Sequence, residues 1–218
     1  MSKNKISTRD AILSKALEMF NERGIEYVGL RELAATLGIR VSNISYYFPT
    51  KDDLVNELTL ELNRANSNLL VAGQRLTLKS FLEMMQGVFR NQVRFRSIML
   101  SIVHLMEHNQ VISQRHKQTQ KDRNKVLAEN LKTLAAGGLL SFPDEQQVEM
   151  LAAMISLIAR FWISEAAISY RKLSEEDQID NNLRLIVNLL LPYATTVGKE
   201  QINTFLESTP ATKGYGQH

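Results

Sequence analysis

Apolar residues along most of this chain recur at spacings of three and four, which places them on one face of an α-helix. No stretch keeps the period of two that a strand would show, and Gly and Pro are scarce. The pattern therefore predicts an all-α protein. Near the N-terminus it predicts three short helices that end at Gly24, Gly38 and Pro49, and then a longer helix that begins with the capping pair Thr50 and Asp53.

The rest of the chain is predicted to be helical as well. The apolar spacing favours helices over residues 78–96, 97–108, 110–136, 144–171, 174–196 and 199–207. The last ten residues, 209–218, contain few apolar groups that could dock on a core, so the sequence predicts a flexible tail.

The composition narrows the class of protein. An apolar content of 44% is that of a globular chain, and the absence of Cys excludes disulfides, thiolate metal sites and Cys nucleophiles. The first ten residues lack the apolar run of a signal peptide, which predicts a cytoplasmic location. The longest apolar stretches, 148–163 and 183–197, are interrupted by polar residues and are judged too short to span a membrane, so no membrane partner is predicted.

Residues 30–48 contain two short helical segments joined by a turn through Gly38, which is the arrangement of a helix-turn-helix motif. In such a motif the second helix lies in the major groove of DNA, with its N-terminal side chains at the base edges. The apolar positions of the second segment, Ile44 and Phe48, must face inward. The residues left to face outward are Arg40, Val41, Ser42, Asn43, Ser45, Tyr46 and Tyr47.

These outward residues have the chemistry that DNA binding requires. Asn43 can both donate and accept a hydrogen bond at a base edge, and the hydroxyls of Tyr46 and Tyr47 can reach phosphate oxygens. Packing of the two tyrosines against the fourth helix is the alternative interpretation. Arg31 on the first segment and Lys51 at the start of the fourth helix are predicted to contact the DNA backbone. A charge of +3 over residues 1–51, equal to that of the whole chain, is compatible with this partner.

Three stretches carry a resemblance to a known family: AL..F...G over 16–24, R.LA..LGI over 31–39 and YYF..K.DL over 46–54. They resemble the DNA-binding domain of the tetracycline-repressor (TetR) family of bacterial regulators. The resemblance implies a three-helix DNA-binding domain over residues 6–65 and a larger helical effector-binding and dimerisation domain over 66–208. The chain departs from the family pattern before the second helix, where Val28 and Gly29 replace the usual Thr or Ser, and at Val41, which is often basic.

The resemblance also implies that the last two long helices, 144–171 and 174–196, form a four-helix interface with their copies. These are the most apolar long segments of the chain, and too much of their surface is apolar for helices exposed to water. A homodimer of this kind would hold two recognition helices about 34 Å apart, or a multiple of the helical turn, and would read a palindromic operator.

Several residues are candidates for an effector pocket because thioethers adapt to varied shapes and a few polar or aromatic groups fix a ligand. The candidates are Met84, Met99, His104, Met154, Arg160 and Trp162. Ordinary core packing is the alternative for the methionines, and a core or interface position is favoured for Trp162. His104 and His108, with Glu107 nearby, lack a fourth ligand, so neither a metal nor another cofactor is predicted. The basic helix face over 115–132 is interpreted as solvated, with a second nucleic-acid surface as the alternative.

The sequence thus predicts a ligand-responsive repressor that binds double-stranded DNA as a homodimer and responds to a small-molecule effector. An enzyme is not indicated, because the chain lacks a phosphate loop, a nucleophile elbow and a convincing set of metal ligands. The alternative is a helical adaptor that binds proteins and has lost its affinity for DNA.

Overall fold

The computed structural model describes residues 7–69 and 76–208, which form helices and connecting turns without a strand. The helices are α1 (Thr8–Arg23), α2 (Leu30–Leu37), α3 (Val41–Tyr47), α4 (Lys51–Ser67), α5 (Leu78–Arg94), α6 (Arg96–Leu100), α7 (Ile102–His108), α8 (Gln110–Ala136), α9 (Glu145–Ser169), α10 (Glu175–Leu190) and α11 (Thr196–Ser208). The predicted all-α class is confirmed. The predicted tail, 209–218, lies outside the described residues.

The N-terminal helices begin and end where their sequence signals predict. The hydroxyl oxygen of Ser7 accepts a hydrogen bond from the amide of Asp10 and caps α1, which ends at Gly24 in a positive-φ conformation. Thr50 and Asp53 form a reciprocal capping box before α4, with Asp53 N–H to Thr50 Oγ1 at 3.1 Å and Thr50 N–H to Asp53 Oδ2 at 3.0 Å. These caps satisfy backbone donors that the first turn of a helix leaves free.

Two predicted helices differ from the structure. The segment predicted as one helix over 97–108 is divided at Ser101, whose hydroxyl donates to a carboxylate oxygen of Glu26. The helix predicted over 174–196 ends at Leu190, because Pro192 has no amide hydrogen to continue the ladder, and the chain passes into a 3₁₀ turn at Leu191–Tyr193.

The chain divides into two compact units that do not follow its linear order. Of the described residues, the first unit contains 7–65 together with 94–116, and the second contains 66–69, 76–93 and 117–208. The sequence predicts that 94–116 belongs to the effector-binding and dimerisation domain over 66–208. In the structure this segment packs on α1, where the side chain of Asn21 donates to the Arg94 carbonyl and accepts from the amide of Ser97.

The core of the first unit joins α1 to the helix-turn-helix and to α6. Its buried apolar side chains come from every helix of that unit, so that α2 and α3 rest on a continuous apolar support. They include Ile12, Leu13, Phe20, Leu33, Ile44, Leu54, Leu58, Phe95 and Ile98.

The second unit is built on α9 and α10, which pack against each other. Trp162 of α9 is buried against Phe89 of α5, with ring centroids 4.9 Å apart, and its indole N–H donates to Gln92 Oε1 at 2.6 Å. Gln92 in turn donates to the carbonyl of Ala159. Trp162 therefore belongs to a packed core whose polar group is satisfied.

Helix α9 has the length and composition of a membrane span, with a mean hydropathy of 1.6 over its most apolar 18 residues. The sequence-based judgement that this run is too short is therefore wrong. A long core helix of a globular protein passes the same test, and one face of α9 is buried within the second unit through Leu151, Ile155, Ile163 and Ala166.

Candidate nucleic-acid interface

The turn between α2 and α3 sets the geometry of the candidate interface. Gly38 adopts a left-handed conformation with φ 66° and ψ 28°, and its amide together with that of Ile39 closes the end of α2 onto the carbonyls of Ala35 and Ala34. The chain then enters α3 after Arg40, which has extended backbone angles. The sharp turn projects the N-terminal end of α3 away from the preceding helix.

Helix α3 is held by its apolar side and leaves its polar side open to solvent. Ile44 and Phe48 are buried in the first unit, as predicted. Arg40, Val41, Ser42, Asn43, Tyr46 and Tyr47 are exposed, whereas Ser45 is half-buried. The polar side of α3 therefore has the amphipathic exposure that insertion into a DNA groove requires.

The two tyrosines at the end of α3 do not pack as core residues. Tyr46 is 81% exposed and Tyr47 is 40% exposed, and their rings meet edge to face with centroids 5.0 Å apart. The mutual contact restricts the ring orientations while both rings retain solvent-accessible surface. Packing against α4 is thus not what determines the position of Tyr46.

Arg31 and Arg40 are the cations of the motif that face solvent. Both are exposed, and neither forms an ion pair among residues 7–69 and 76–208. Arg31 lies on α2 and Arg40 directly before α3, so they flank the turn. Their guanidinium groups are available to an anionic partner.

Lys51 has a different environment from the one its sequence position suggests. Its side chain is half-buried, and its ammonium nitrogen lies 2.9 Å from the Ile25 carbonyl oxygen and 3.4 Å from those of Glu26 and Val28. These carbonyls belong to the loop between α1 and α2. The sequence gives no local sign of this contact, because the partners are more than 20 residues away along the chain.

A charged network missed by sequence reasoning supports the end of α3. The guanidinium of Arg9 lies 5.4 Å from the ring centroid of Phe48 and forms a 3.0 Å ion pair with Glu57, which is also paired with Arg64. Burial raises the pKa of Glu57, but hydrogen bonds from Arg9 and Arg64 outweigh it and hold that pKa below its ordinary range. The sequence does not indicate this network, because Arg9 lies far along the chain from Phe48 and Glu57.

The candidate effector residues are distributed over both units. Met99 is buried in the first unit, and His104 is exposed there. The other four, Met84, Met154, Arg160 and Trp162, lie in the second unit. Arg160 reaches α8, where it donates to Gln120 Oε1 at 3.3 Å, and its buried Nε has no partner in the described parts of the chain.

Sequence reasoning missed a buried polar segment at the start of α10. All residues from 178 to 183 are buried, and four of them are polar: Gln178, Asp180, Asn181 and Asn182. Asn181 is 1% exposed, and neither atom of its amide group has a hydrogen-bond partner in the described structure. The available signal was the concentration of polar residues over 178–182, where Ile179 is the single apolar position.

Asp180 in this segment has a perturbed acidity. Burial raises the pKa of its carboxyl group, nearby Glu176 and Asp177 act in the same direction, and Arg184 and Arg90 oppose them. The net pKa is above the ordinary value, which means that the folded protein disfavours the charged form.

The remaining sequence candidates lie on the surface. The rings of His104 and His108 stack with centroids 4.2 Å apart, and no group of three or more metal-binding side chains occurs among the residues described. Lys117, Lys121 and Lys125 form an exposed stripe on α8. That exposure is common to a solvated face and to a nucleic-acid surface.

The fold and the interface define the chain as an all-helical protein with two compact units, the first of which contains a helix-turn-helix motif. A family model described as "Bacterial transcriptional repressor" (TetR) matches residues 63–202, more than half of the chain, and one described as "Bacterial regulatory proteins, tetR family" matches residues 12–58. The chain belongs to the TetR family of bacterial regulatory proteins. Because members of this family are regulators, the expectation that the chain is not an enzyme is confirmed.

Individual relatives agree with this assignment. The chain is 36% identical over 66 residues to "Probable HTH-type transcriptional regulator YttP" of Bacillus subtilis, and the match spans 30% of this chain and 32% of that relative. The structure is similar to that of a TetR-family regulator from Marinobacter aquaeolei VT8, with a TM-score of 0.84 and 19% identity over 94% of this chain and 100% of the other. The structure is also similar to that of SmeT in complex with triclosan, with a TM-score of 0.63 and 15% identity over 87% of this chain and 92% of the other. The two structural similarities show the fold alone.

Proposed function

We propose that the protein is a ligand-responsive repressor that binds a palindromic operator as a homodimer in the cytoplasm. The observation that carries this proposal is the exposure of α3: its apolar side is buried and its polar side faces solvent from Arg40 to Tyr47. A helix presented in this way fits the major groove of B-DNA, which is about 12 Å wide.

The outward residues divide into two roles in this proposal. Val41, Ser42 and Asn43 lie at the N-terminal end of α3, where side chains approach base edges, and Asn43 suits the donor and acceptor pair of adenine. Tyr46, Tyr47, Ser45, Arg31 and Arg40 would contact the phosphate backbone and fix the register of the helix.

An apolar stripe on α9 supports a homodimer. Met150, Leu157, Phe161 and Ile168 are exposed, and their spacings of seven, four and seven residues keep them on one face of the helix. We define these four residues as the α9 stripe. A second copy related by twofold symmetry would cover the stripe with itself and would hold two recognition helices at the spacing of successive major grooves.

The effector site is proposed to lie within the second unit. Arg160 has a buried donor without a partner, and Met84 and Met154 supply side chains that adapt to an apolar ligand. SmeT, a protein of the same fold, is described in complex with triclosan, a small molecule. A ligand that binds preferentially to one arrangement of the two DNA-binding units of the dimer would increase the population of that arrangement. The affinity of the dimer for DNA would change as a result.

Fluorescence anisotropy with DNA from upstream of the protein's own gene tests DNA binding. Tyr46→Ala is expected to weaken binding to this DNA about tenfold, because it removes a phosphate contact beside the recognition helix of each protomer. Tyr27→Ala is the matched control, since Tyr27 is 78% exposed in the same unit but lies outside α3. Loss of affinity in both variants, or in neither, would contradict the assignment of α3 as the reading helix.

The same variants address the alternative of a protein-binding adaptor. An adaptor would show no preference for any upstream DNA over a scrambled duplex of equal length at moderate salt. It would also be indifferent to Tyr46→Ala and Asn43→Ala while remaining folded.

A further inference from the structure

The ammonium group of Lys51 is enclosed by main-chain oxygen atoms. It lies 2.9 Å from the carbonyl oxygen of Ile25 and 3.4 Å from those of Glu26 and Val28. A lysine ammonium group has three N–H donors, and here three carbonyls face it. All of its hydrogen-bonding capacity is therefore directed into the protein, and a phosphate would have to displace a carbonyl to accept from it.

Both sides of this contact are fixed by neighbouring structure. On one side, Lys51 is the first residue of α4, and the capping box of Thr50 and Asp53 holds that position. On the other side, Ile25 and Val28 are buried and anchor the loop between α1 and α2. The side chain of Lys51 thus connects the start of α4 to the loop between α1 and α2, and both of these are held in place by neighbouring structure.

The contact connects the two ends of the helix-turn-helix segment. The loop it binds leads directly into α2, and α4 follows α3 after three residues. Lys51 therefore ties the entry of the motif to its exit, with α2, the Gly38 turn and α3 between them. A change at this point would alter the placement of α3 without touching the groove.

We propose that Lys51 is a positioning residue that sets the orientation of the recognition helix through the loop at 25–28, rather than a residue that binds phosphate. This inference rests on the proposed DNA-binding function for its effect on affinity, although the contact itself exists in the free protein. It predicts that DNA affinity depends on the geometry of the ammonium group and not on its charge.

The dependence of affinity on salt separates the two roles. Each phosphate that a protein neutralises contributes about 0.9 to the magnitude of the slope of log K against log salt concentration. Loss of one phosphate contact from each protomer of a dimer would therefore reduce that magnitude by about 1.8. A positioning residue lowers affinity at every salt concentration and leaves the slope nearly unchanged. Arg31→Met is the matched control, because Arg31 is an exposed cation of the same motif.

The experiment compares the full chain with its Lys51→Met, Lys51→Arg and Arg31→Met variants. Lys51→Met is expected to weaken operator binding about tenfold at unchanged slope, because it removes hydrogen bonds made by a charged group. Lys51→Arg is expected to behave like Lys51→Met, because a planar guanidinium cannot direct its donors onto three converging carbonyls. Arg31→Met is expected to reduce the slope.

Two measurements on the free protein keep this inference separate from the DNA-binding proposal. Hydrogen exchange of backbone amides over 25–37 is expected to accelerate in Lys51→Met but not in Arg31→Met. In the unmodified protein, the Lys51 ammonium is expected to be protected from exchange in nitrogen-detected NMR relative to exposed Lys125. Both results would stand even if no operator were bound.

The proposal is overturned by a slope that falls by about 1.8 in Lys51→Met, by full rescue in Lys51→Arg, or by a Lys51 ammonium that exchanges as fast as that of Lys125. It is also overturned if Lys51→Met leaves the exchange of 25–37 unchanged. Absence of sequence-selective binding by the unmodified protein would instead refute the proposed function, and the exchange measurements would still decide the role of Lys51.

Discussion

The exposed apolar stripe of α9 gives the most direct prediction about assembly. Replacing Leu157 with Ser removes an apolar side chain that is 57% exposed and that a twofold-related copy would cover. Because each protomer contributes the same residue, one substitution changes the dimer interface twice. The expected result is a large increase in the dimer dissociation constant with little change in the stability of the protomer.

The size of the increase in the dissociation constant follows from the part of the Leu157 side chain that is exposed in the protomer and would be buried in the dimer. Complete burial of a leucine side chain stabilises by about 2.2 kcal/mol, so covering the exposed 57% of Leu157 contributes about 1.3 kcal/mol in each protomer. Two copies contribute about 2.5 kcal/mol to the dimer, which corresponds to a roughly 60-fold increase in the dissociation constant for Leu157→Ser.

Sedimentation velocity over a dilution series measures this constant. Val103→Ser is the matched control, because Val103 is 56% exposed but lies on α7 in the first unit. Leu157→Ser should shift the monomer-dimer midpoint to higher concentration, whereas Val103→Ser should not. An unchanged midpoint for Leu157→Ser, or equal shifts for both variants, would refute the assignment of the α9 stripe to the dimer interface.

Two further predictions concern stability. A Cβ at Gly198 would overlap the carbonyl oxygen of Leu139, so Gly198→Ala should destabilise the fold by about 2 kcal/mol and lower Tm by about 6 °C in calorimetry. Gly137→Ala, where the added carbon meets only contacts of 3.4 Å and longer, is the control, and an equal Tm loss would contradict the steric argument. Burial raises the pKa of Asp180, so its contribution to stability is present at low pH and is lost as pH rises through the folded-state pKa. Asp180→Asn should therefore be more stable than the unmodified protein at pH 7 in urea unfolding, with a difference that shrinks on acidification; a difference that grows in acid would refute the assigned direction.

The N-terminal helices were predictable because their signals are local. Ser7, Gly24, Gly38 and Pro49 each act within one turn of the helix end that they mark, and the structure places the helix ends beside them. The inward position of Ile44 followed from helical spacing alone. Such features depend on residues within a few positions of one another, which a single sequence shows directly.

Other features depended on contacts that a single sequence does not show. Lys51 meets a loop more than 20 residues earlier, and Glu57 meets Arg9 across the first unit. The division of 97–108 at Ser101 likewise involves Glu26, which lies 75 residues away. The direction of a polar side chain, into solvent or into the protein, was the part that sequence spacing left undetermined.

The attachment of residues 94–116 to the first unit limits how this regulator can be exchanged with others. Asn21 of α1 forms hydrogen bonds with this segment, and Phe95 and Ile98 complete the core beneath the helix-turn-helix. A chimera that joined residues up to 65 to a foreign sensor would leave that surface bare unless the donor supplied a complementary segment. Hybrid regulators built from this chain therefore need two grafted pieces, not one.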